Sequence, residues 1–346
     1  MSVSIVMPFY NAERYLRDTL GSVLRAAAGT VEVIAVSDAS TDGSDDLART
    51  LGARVLRLEE NAGPSRARNR GAREACGEIL LFIDADVSIP SGILDRVREA
   101  FRADPRIEAL FGSYDDAPAA PNFASQYRNL LHHHVHQTGN EAAVTFWAGF
   151  GAVRRETFLR LGGFDESRRY LEDVELGHRL TRAGCTIRLD PTLQVKHHKK
   201  WTVGSMMVTD VVHRAFPWTD LIWAQGSMPR DLNVRPSRRF AALLVLSLPG
   251  WLLLAAIAHG VVRAGAVSGF ALSIVLQLAV DRPFYTLLYR KRGLASMIGG
   301  VICHWIYYVS AAATYSVSMA YFVLTRRKRS AEHPLDTTLK REPIAP

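Results

Sequence analysis

Over the first 85 residues, apolar positions fall into short runs of strand length separated by segments with helical spacing. Val3–Met7 reads as a buried strand ended by Pro8, and Ala12–Ala27 sets Leu16, Leu20, Val23 and Leu24 on one face of a helix. Val31–Val36 is a second β-rich run. A turn follows it, Asp38-Ala39-Ser40-Thr41-Asp42-Gly43, with Asp42 placed to cap a helix reaching Leu51. Arg54–Leu58 gives a third strand, Pro64–Ala75 a helix, and Ile79–Ile83 a fourth strand. Strands alternating with helices predict an α/β, doubly wound, largely parallel sheet, which binds ligands at the carboxyl ends of its strands.

The pattern changes after residue 200. Met206, Met207, Val211, Phe216, Trp218, Leu221, Ile222 and Trp223 mix with basic residues below span length, which fits helices lying in a membrane interface, or a lid or core helix. Phe240–Val262, Ala264–Val280 with Phe284–Tyr289, and Leu294–Thr325 are apolar runs long enough in series to form a membrane domain. Arg238-Arg239, Arg290-Lys291-Arg292 and Arg326-Arg327-Lys328-Arg329 punctuate them. An excess of basic residues marks cytosolic loops, so two spans between Arg239 and Arg290 fit the charges. The last run fits only as a plain third span that violates the rule, or as a re-entrant or interfacial element breaking at Gly299-Gly300.

Charge sharpens this division. The net charge is +8, but residues 231–346 hold 14 Lys/Arg against 5 Asp/Glu, whereas residues 1–230 hold 28 against 29. The first domain therefore lacks the basic surplus of a nucleic-acid binder, and no nucleic-acid partner is expected. Val3–Met7 is too short for a signal peptide, and Cys76, Cys185 and Cys303 have no metal or redox spacing, so a cytosolic catalytic domain is expected.

The predicted carboxyl edge collects the polar chemistry. Pro8-Phe9-Tyr10-Asn11, Ser37-Asp38, Asn61 through Asn69 with Arg66 and Arg68, and Asp84-Ala85-Asp86 follow four successive strands. Two carboxylates at i, i+2 repel unless a cation or hydrogen bonds hold them, and hard oxygen ligands suit Mg2+ or Mn2+. The same pair could simply cap the following helix. An aromatic wall, an aspartate, arginines and backbone N–H groups together could hold a nucleoside diphosphate. Neither a GxGxxG fingerprint nor a Walker A loop is present, which speaks against an NAD enzyme or an ATPase.

These residues, in this order, resemble the family 2 glycosyltransferases of GT-A fold. Val3 to Glu13 is similar to the family's opening strand and loop, and Val36-Ser37-Asp38-Ala39-Ser40-Thr41-Asp42 to its DDGSTD element, with Ser37 and Ala39 as departures. Asn61-Ala62-Gly63 with Ala67-Arg68-Asn69 resembles its N-x-G…A-R-N segment, and Asp84-Ala85-Asp86 its DxD motif. Gly162-Gly163-Phe164-Asp165-Glu166 and Leu171 through Gly177 resemble its acceptor-side motifs.

The resemblance implies a GT-A (Rossmann-like) nucleotide-sugar domain over residues 1–200. An interfacial segment (201–237), all-α transmembrane helices (238–325) and a basic disordered tail (326–346) would follow. It further implies inverting, metal-dependent transfer from a UDP- or GDP-sugar. Pro8, Phe9, Tyr10, Glu13, Asn61 and Arg68 would line the donor site, with Asp38 at the base, Asp84 at the ribose or sugar, and Asp86 and His197 at the divalent cation. Asp173 would be the general base, although a helix over Val174–Ala183 makes capping an alternative role. Glu172 and Glu175 read as a capping or structural pair.

Other residues are less decisive. His132 and His136 stand at i, i+4, as a metal pair would, but a solvated or acceptor-lining helix face is the expectation for His132, His133, His134 and His136. Leu193–Lys196 reads as a short strand before His197 and His198, and Trp147 through Gly151 as a glycine-containing loop near the acceptor. The processive synthases' QxxRW motif is absent, which predicts addition of one sugar. The expected acceptor is a hydroxyl of a lipid or lipid-linked saccharide at the cytosolic face of the plasma or inner membrane, reached by a multi-pass protein. Polyprenyl phosphate is the alternative acceptor, and a non-catalytic membrane scaffold the alternative of another class.

Overall fold

The computed structural model describes residues 1–225 and 235–329. In chain order these form β1 (Val3–Phe9), α1 (Glu13–Ala27), β2 (Glu32–Ser37), α2 (Ser44–Thr50), β3 (Arg54–Arg57), α3 (Pro64–Glu74) and β4 (Ile79–Ile83). Next come β5 (Val87–Ser88), α4 (Ile93–Ala103), β6 (Ile107–Tyr114), α5 (Phe123–Gln137), β7 (Ala142–Ala143), β8 (Phe150–Arg154), α6 (Arg155–Arg160), α7 (Glu172–Arg182) and β9 (Thr186–His197). Then α8 (Val203–Val208), a π-helical stretch (Thr209–Ala215) and α9 (Phe216–Gln225) lead to α10 (Pro236–Ile257) and α11 (Gly260–Arg329).

The seven elements from β1 to β4 form as the sequence predicts. β1 and β4 are buried on both faces, which is why they read as continuous apolar runs. β1 pairs in parallel with both β2 and β4, and β3 completes that side of the sheet as a short edge strand ending in Arg54 and Arg57. Successive residues of β1 feed opposite sides: Ile5 and Met7 pack with Leu16 and Leu20 of α1, and Val6 packs with Phe82, Phe158 and Phe164.

Beyond β4 the sheet departs from the parallel expectation. β8 lies antiparallel between β4 and β6, and the strand order is β3-β2-β1-β4-β8-β6-β9-β5, with β7 on β9. Phe150 and Gly151 therefore belong to a central strand rather than to a loop. The short strand expected over Leu193–Lys196 is the end of the twelve-residue β9, which contains Pro191 and pairs with β6 across a register shift between Phe111 and Ser113. Asp42 precedes the start of α2 and accepts the Ser44 N–H (3.0 Å), while Gly43 takes the capping position.

The helical region has a polar interior and an apolar exterior. Leu243, Leu253, Ile257, Val275, Val317 and Leu324 are exposed. Inside, Gln277 donates to Asp281 (2.8 Å), Tyr308 donates to Asp281 (2.9 Å), Trp305 donates to Gln277 (2.8 Å), and Arg238 pairs with Asp281. Helix α11 breaks at Gly293 (φ 79°), where the chain must enter a region that other residues avoid. The break expected at Gly299-Gly300 is absent. A Cβ at Gly299 would meet the Phe123 ring at 2.9 Å and one at Gly300 would meet Leu288 at 2.3 Å, so these glycines permit close packing. Arg326–Arg329 continue α11, so the expected tail begins as helix, and its residues 330–346 lie outside the described residues.

Candidate active site

The carboxyl ends of β1, β2 and β4 open into a cavity of about 610 Å3, closed on its far side by α5, the start of α7 and the π-helical stretch. The Asn61–Gly63 loop folds over the end of β2 because Asp38 accepts hydrogen bonds from the Ala62 N–H (2.9 Å) and the Gly63 N–H (2.8 Å). Gly63, at φ 92°, turns that N–H back toward Asp38 just before Pro64 starts α3. Asp38 is buried, and both carboxylate oxygens support this loop.

Arg68 of α3 was expected to face phosphate. Its fork instead holds two carboxylates, donating to Asp84 (2.6 Å) and Glu172 (2.7 Å) from a buried position beside the Phe164 ring. The repulsion anticipated between Asp84 and Asp86 is resolved by separate partners: Asp84 turns to Arg68 and Asp86 to His197. Asp173 stands in the first turn of α7, where its carboxylate accepts the Val174 N–H (2.8 Å) and the Ala148 N–H (3.3 Å).

Three carboxyl groups thus surround one guanidinium. Burial raises Glu172 to about 7; Arg68 pulls it down and neighbouring Asp173 pushes it up. Burial also raises Asp173, against the pull of Arg68 and of its two backbone donors. A carboxylate held above its ordinary range in a cavity is suited to accept a proton near neutral pH. α7 can approach so closely because residue 177 is glycine: a Cβ there would lie 2.4 Å from the Phe146 backbone nitrogen.

Asp86 lies across the cavity floor, its Oδ2 3.6 Å from His197 Nε2. Burial opposes its ionisation, but His197 and Lys199 outweigh that and lower its pKa. His197 stacks on Tyr114 (4.3 Å between centroids), whereas His198 turns away to Ser88 (2.8 Å). Among the described residues no group of three metal-ligating side chains converges. A carboxylate and an imidazole that face each other too far apart for a good hydrogen bond fit a divalent ion completed by substrate oxygens and water.

Of the residues expected in the site, Pro8, Phe9, Tyr10, Asp38, Arg68, Asp84, Asp86, Asp173 and His197 all line this cavity. Two do not. Glu13 accepts the Gly43 N–H (3.2 Å) and ties α1 to the 38–43 turn, and Asn61 sits outside, its side-chain oxygen accepting from Arg169 (3.1 Å). The histidines of α5 are packed rather than solvated: His136 hydrogen-bonds to the Gly112 carbonyl (2.9 Å), His133 to that of Tyr114 (2.7 Å), and His134 lies against Phe284. His132 reaches the cavity between Tyr114 and Trp147.

The sequence reading missed Tyr114, Arg128, Tyr170, His213 and Arg214, which also line the cavity. All five lie outside the motifs of the carboxyl-edge loops, and His213 and Arg214 are carried by a segment whose composition suggested a membrane interface, a lid or a core helix. The one signal available was the presence of Arg214 in a segment rich in apolar and aromatic residues.

Residues 4–162 match the glycosyl transferase family 2 profile. The chain is similar to the pre-mycofactocin glycosyltransferase of Mycobacterium tuberculosis (26% identical over 264 residues, 73% of this chain and 52% of that protein). It is also similar to glycosyltransferase GlyA of Streptococcus pneumoniae (36% identical over 88 residues, 24% of this chain and 13% of that protein). The solved mannosyltransferase PcManGT from Pyrobaculum calidifontis, in complex with GDP-Man and Mn2+, shares the fold. Its TM-score is 0.60 and its identity 20%, over 90% of this chain and 86% of that one. The chain spans between 13% and 60% of the length of the first curated relatives it matches.

Proposed function

This chain carries a glycosyl transferase family 2 domain on a GT-A sheet, and from that premise we propose that it moves a single sugar from a UDP- or GDP-sugar to a hydroxyl of a lipid or lipid-linked saccharide. The observation that carries the reading is one cavity holding Asp84 and Asp86 on its floor and Asp173, a carboxylate raised by burial, on its wall. Phe9 and Tyr10 would flank the base and Asp38 would approach it through the loop it supports, with Asp84 at the ribose or sugar. Asp173 takes the proton of the acceptor hydroxyl as its oxygen bonds to the anomeric carbon, and the bond to the diphosphate breaks on the opposite face, inverting the centre.

Asp86 and His197 would hold Mg2+ or Mn2+, and the ion would offset the charge of the leaving diphosphate. PcManGT, with the same fold, holds GDP-Man and Mn2+, in keeping with such a donor and ion.

We assign the site to a membrane surface because α10 and α11 are long and apolar enough to span a bilayer and are exposed along their apolar sides. The arm of α11 after Gly293 packs along the interfacial helices, with Phe322 against Phe216 (6.1 Å) and Trp223 (5.9 Å). That course favours, over a third span, an interfacial arm, which would put Arg326–Arg329 on the cytosolic side. Arg290–Arg292 lies there too, with Lys291 paired to Asp116 (2.5 Å).

The test is the full chain in phospholipid nanodiscs, assayed with UDP- and GDP-sugars, Mn2+ or Mg2+ and total membrane lipid. D173N should lower turnover by about 10²–10⁴-fold with donor affinity unchanged. A wild-type chain that binds no nucleotide sugar favours the scaffold and removes the proposal; normal turnover in D173N removes Asp173 as the base.

A further inference from the structure

The two walls of the cavity differ in how their charges are satisfied. On the sheet side the polar groups are matched: Arg68 has Asp84 and Glu172, and the His197 imidazole faces Asp86. On the helical side, Arg128 of α5 and Arg214 of the π-helical stretch both line the cavity, with Asp210 the acid beside them. Asp210 is committed to Arg128 (2.7 Å), and both of these residues are buried. Arg214 makes no hydrogen bond or ion pair among the described residues and lines the cavity, so its fork is open to an acceptor there. Lys199, over the Trp201 ring (4.4 Å), also lines the cavity, and His213 stacks on Tyr170 (4.1 Å).

Arg128 and Arg214 repel each other at this half-buried wall, and Asp210, Tyr307 and Asp173 offset that repulsion only in part. Arg128 and burial together lower Arg214 to about 10, which leaves it charged at neutral pH. An oxyanion between Arg128 and Arg214 would relieve that repulsion and fill the open fork. Arg214 and Asp173 line the same cavity, so an anion held there shares it with the candidate base.

The helix bearing Arg214 gives the remaining character of the ligand. Along its other side Val203, Met207, Val208, Val212 and Phe216 are exposed, a stripe of large apolar residues backing directly onto a cationic cavity wall. One segment thus offers a charged inner side and an apolar outer side, as a site at a membrane surface would need. We propose that Arg128 and Arg214 form a subsite for the phosphate-type anionic head of an amphiphilic acceptor. This assignment rests on the glycosyltransferase reading, and it makes the acceptor a saccharide linked to a lipid phosphate or diphosphate, whose sugar supplies the hydroxyl, rather than a neutral glycolipid.

The experiment measures binding of farnesyl phosphate, farnesol and inorganic phosphate to the full chain in detergent, alongside UDP and GDP binding. Wild type should bind farnesyl phosphate at least about tenfold more tightly than either farnesol or inorganic phosphate, the least expected of a hydrogen bond between charged groups. R214Q should lose the preference for farnesyl phosphate over farnesol and R214K should keep part of it, with nucleotide affinity unchanged in both. Equal binding of farnesol and farnesyl phosphate, or of inorganic and farnesyl phosphate, overturns the proposal. A parallel loss of nucleotide affinity in R214Q also overturns it and assigns the arginines to the donor. Failure of wild type to bind any nucleotide is a different result, and sinks the glycosyltransferase reading instead.

Discussion

Replacing Arg68 by methionine keeps the bulk of the side chain and removes the one cation that Asp84, Glu172 and Asp173 share. The wild-type fork makes two charge-assisted hydrogen bonds, 2.6 Å to Asp84 and 2.7 Å to Glu172, from a side chain only 5% exposed. Breaking a buried pair by removing one partner costs about 3–5 kcal/mol, because the charges left behind lose their compensation. Tenfold in an equilibrium corresponds to about 1.4 kcal/mol, so local opening of α3 and α7 should rise by roughly two to three and a half powers of ten. Hydrogen exchange of those helices in the full chain, read by mass spectrometry, measures this. The defect should shrink as pH falls. Glu172 already has a raised pKa, and losing Arg68 raises it further. A group with a raised folded-state pKa contributes stability when protonated and loses it as pH rises through that value. R68M should therefore be closest to wild type below pH 6 and worst at pH 8. R68K, which restores the charge but not the fork, should fall between. Exchange in R68M within about threefold of wild type at pH 8, or a defect that does not vary with pH, would refute the shared-guanidinium account.

Two further outcomes follow from the same wall of the site. Turnover should rise with pH along an acidic limb lying above the ordinary aspartate range, since burial raises Asp173 and only its ionised form accepts a proton; a limb at the ordinary aspartate value would show that the base is another group. G177A should destabilise α7 by about 1–3 kcal/mol and lower turnover with little change in nucleotide affinity, because the added methyl meets the Phe146 backbone and displaces Asp173; an unchanged unfolding midpoint and rate would show that the helix adjusts freely.

What the sequence disclosed depended on how local the interaction is. β1 through β4 were legible because each strand is a compact apolar run and each helix follows its own strand. β8 was not, because the identity of a strand's neighbours is a non-local choice, and Phe150-Gly151 looks the same in a loop as in a central strand. The acidic pair was visible as chemistry, but its resolution into Arg68 on one side and His197 on the other required residues 16 and 111 positions away to meet. Arg68 read as a phosphate ligand because an arginine at the start of a helix looks alike whether its fork faces solvent or carboxylates. Gly299-Gly300 read as a break because close packing and chain reversal call for the same residue. Arg214 was hidden by its company, since apolar neighbours suggested a lipid-facing helix and its opposite side could not be assigned.

The placement of β8 bears on how this chain emerges from the ribosome. β4 is wholly apolar, and its second edge is satisfied only by a strand that begins about seventy residues later, which at ordinary rates of synthesis is a wait of roughly 3–14 s. During that interval a hydrophobic edge stands open beside β1, a template for any other extended chain. The β1–β4 half of the sheet therefore cannot be finished before the chain is made through Arg154. A fragment ending at α4 or β6 would carry every loop at the carboxyl ends of β1 to β4 and still present an open seam, which makes aggregation its expected fate.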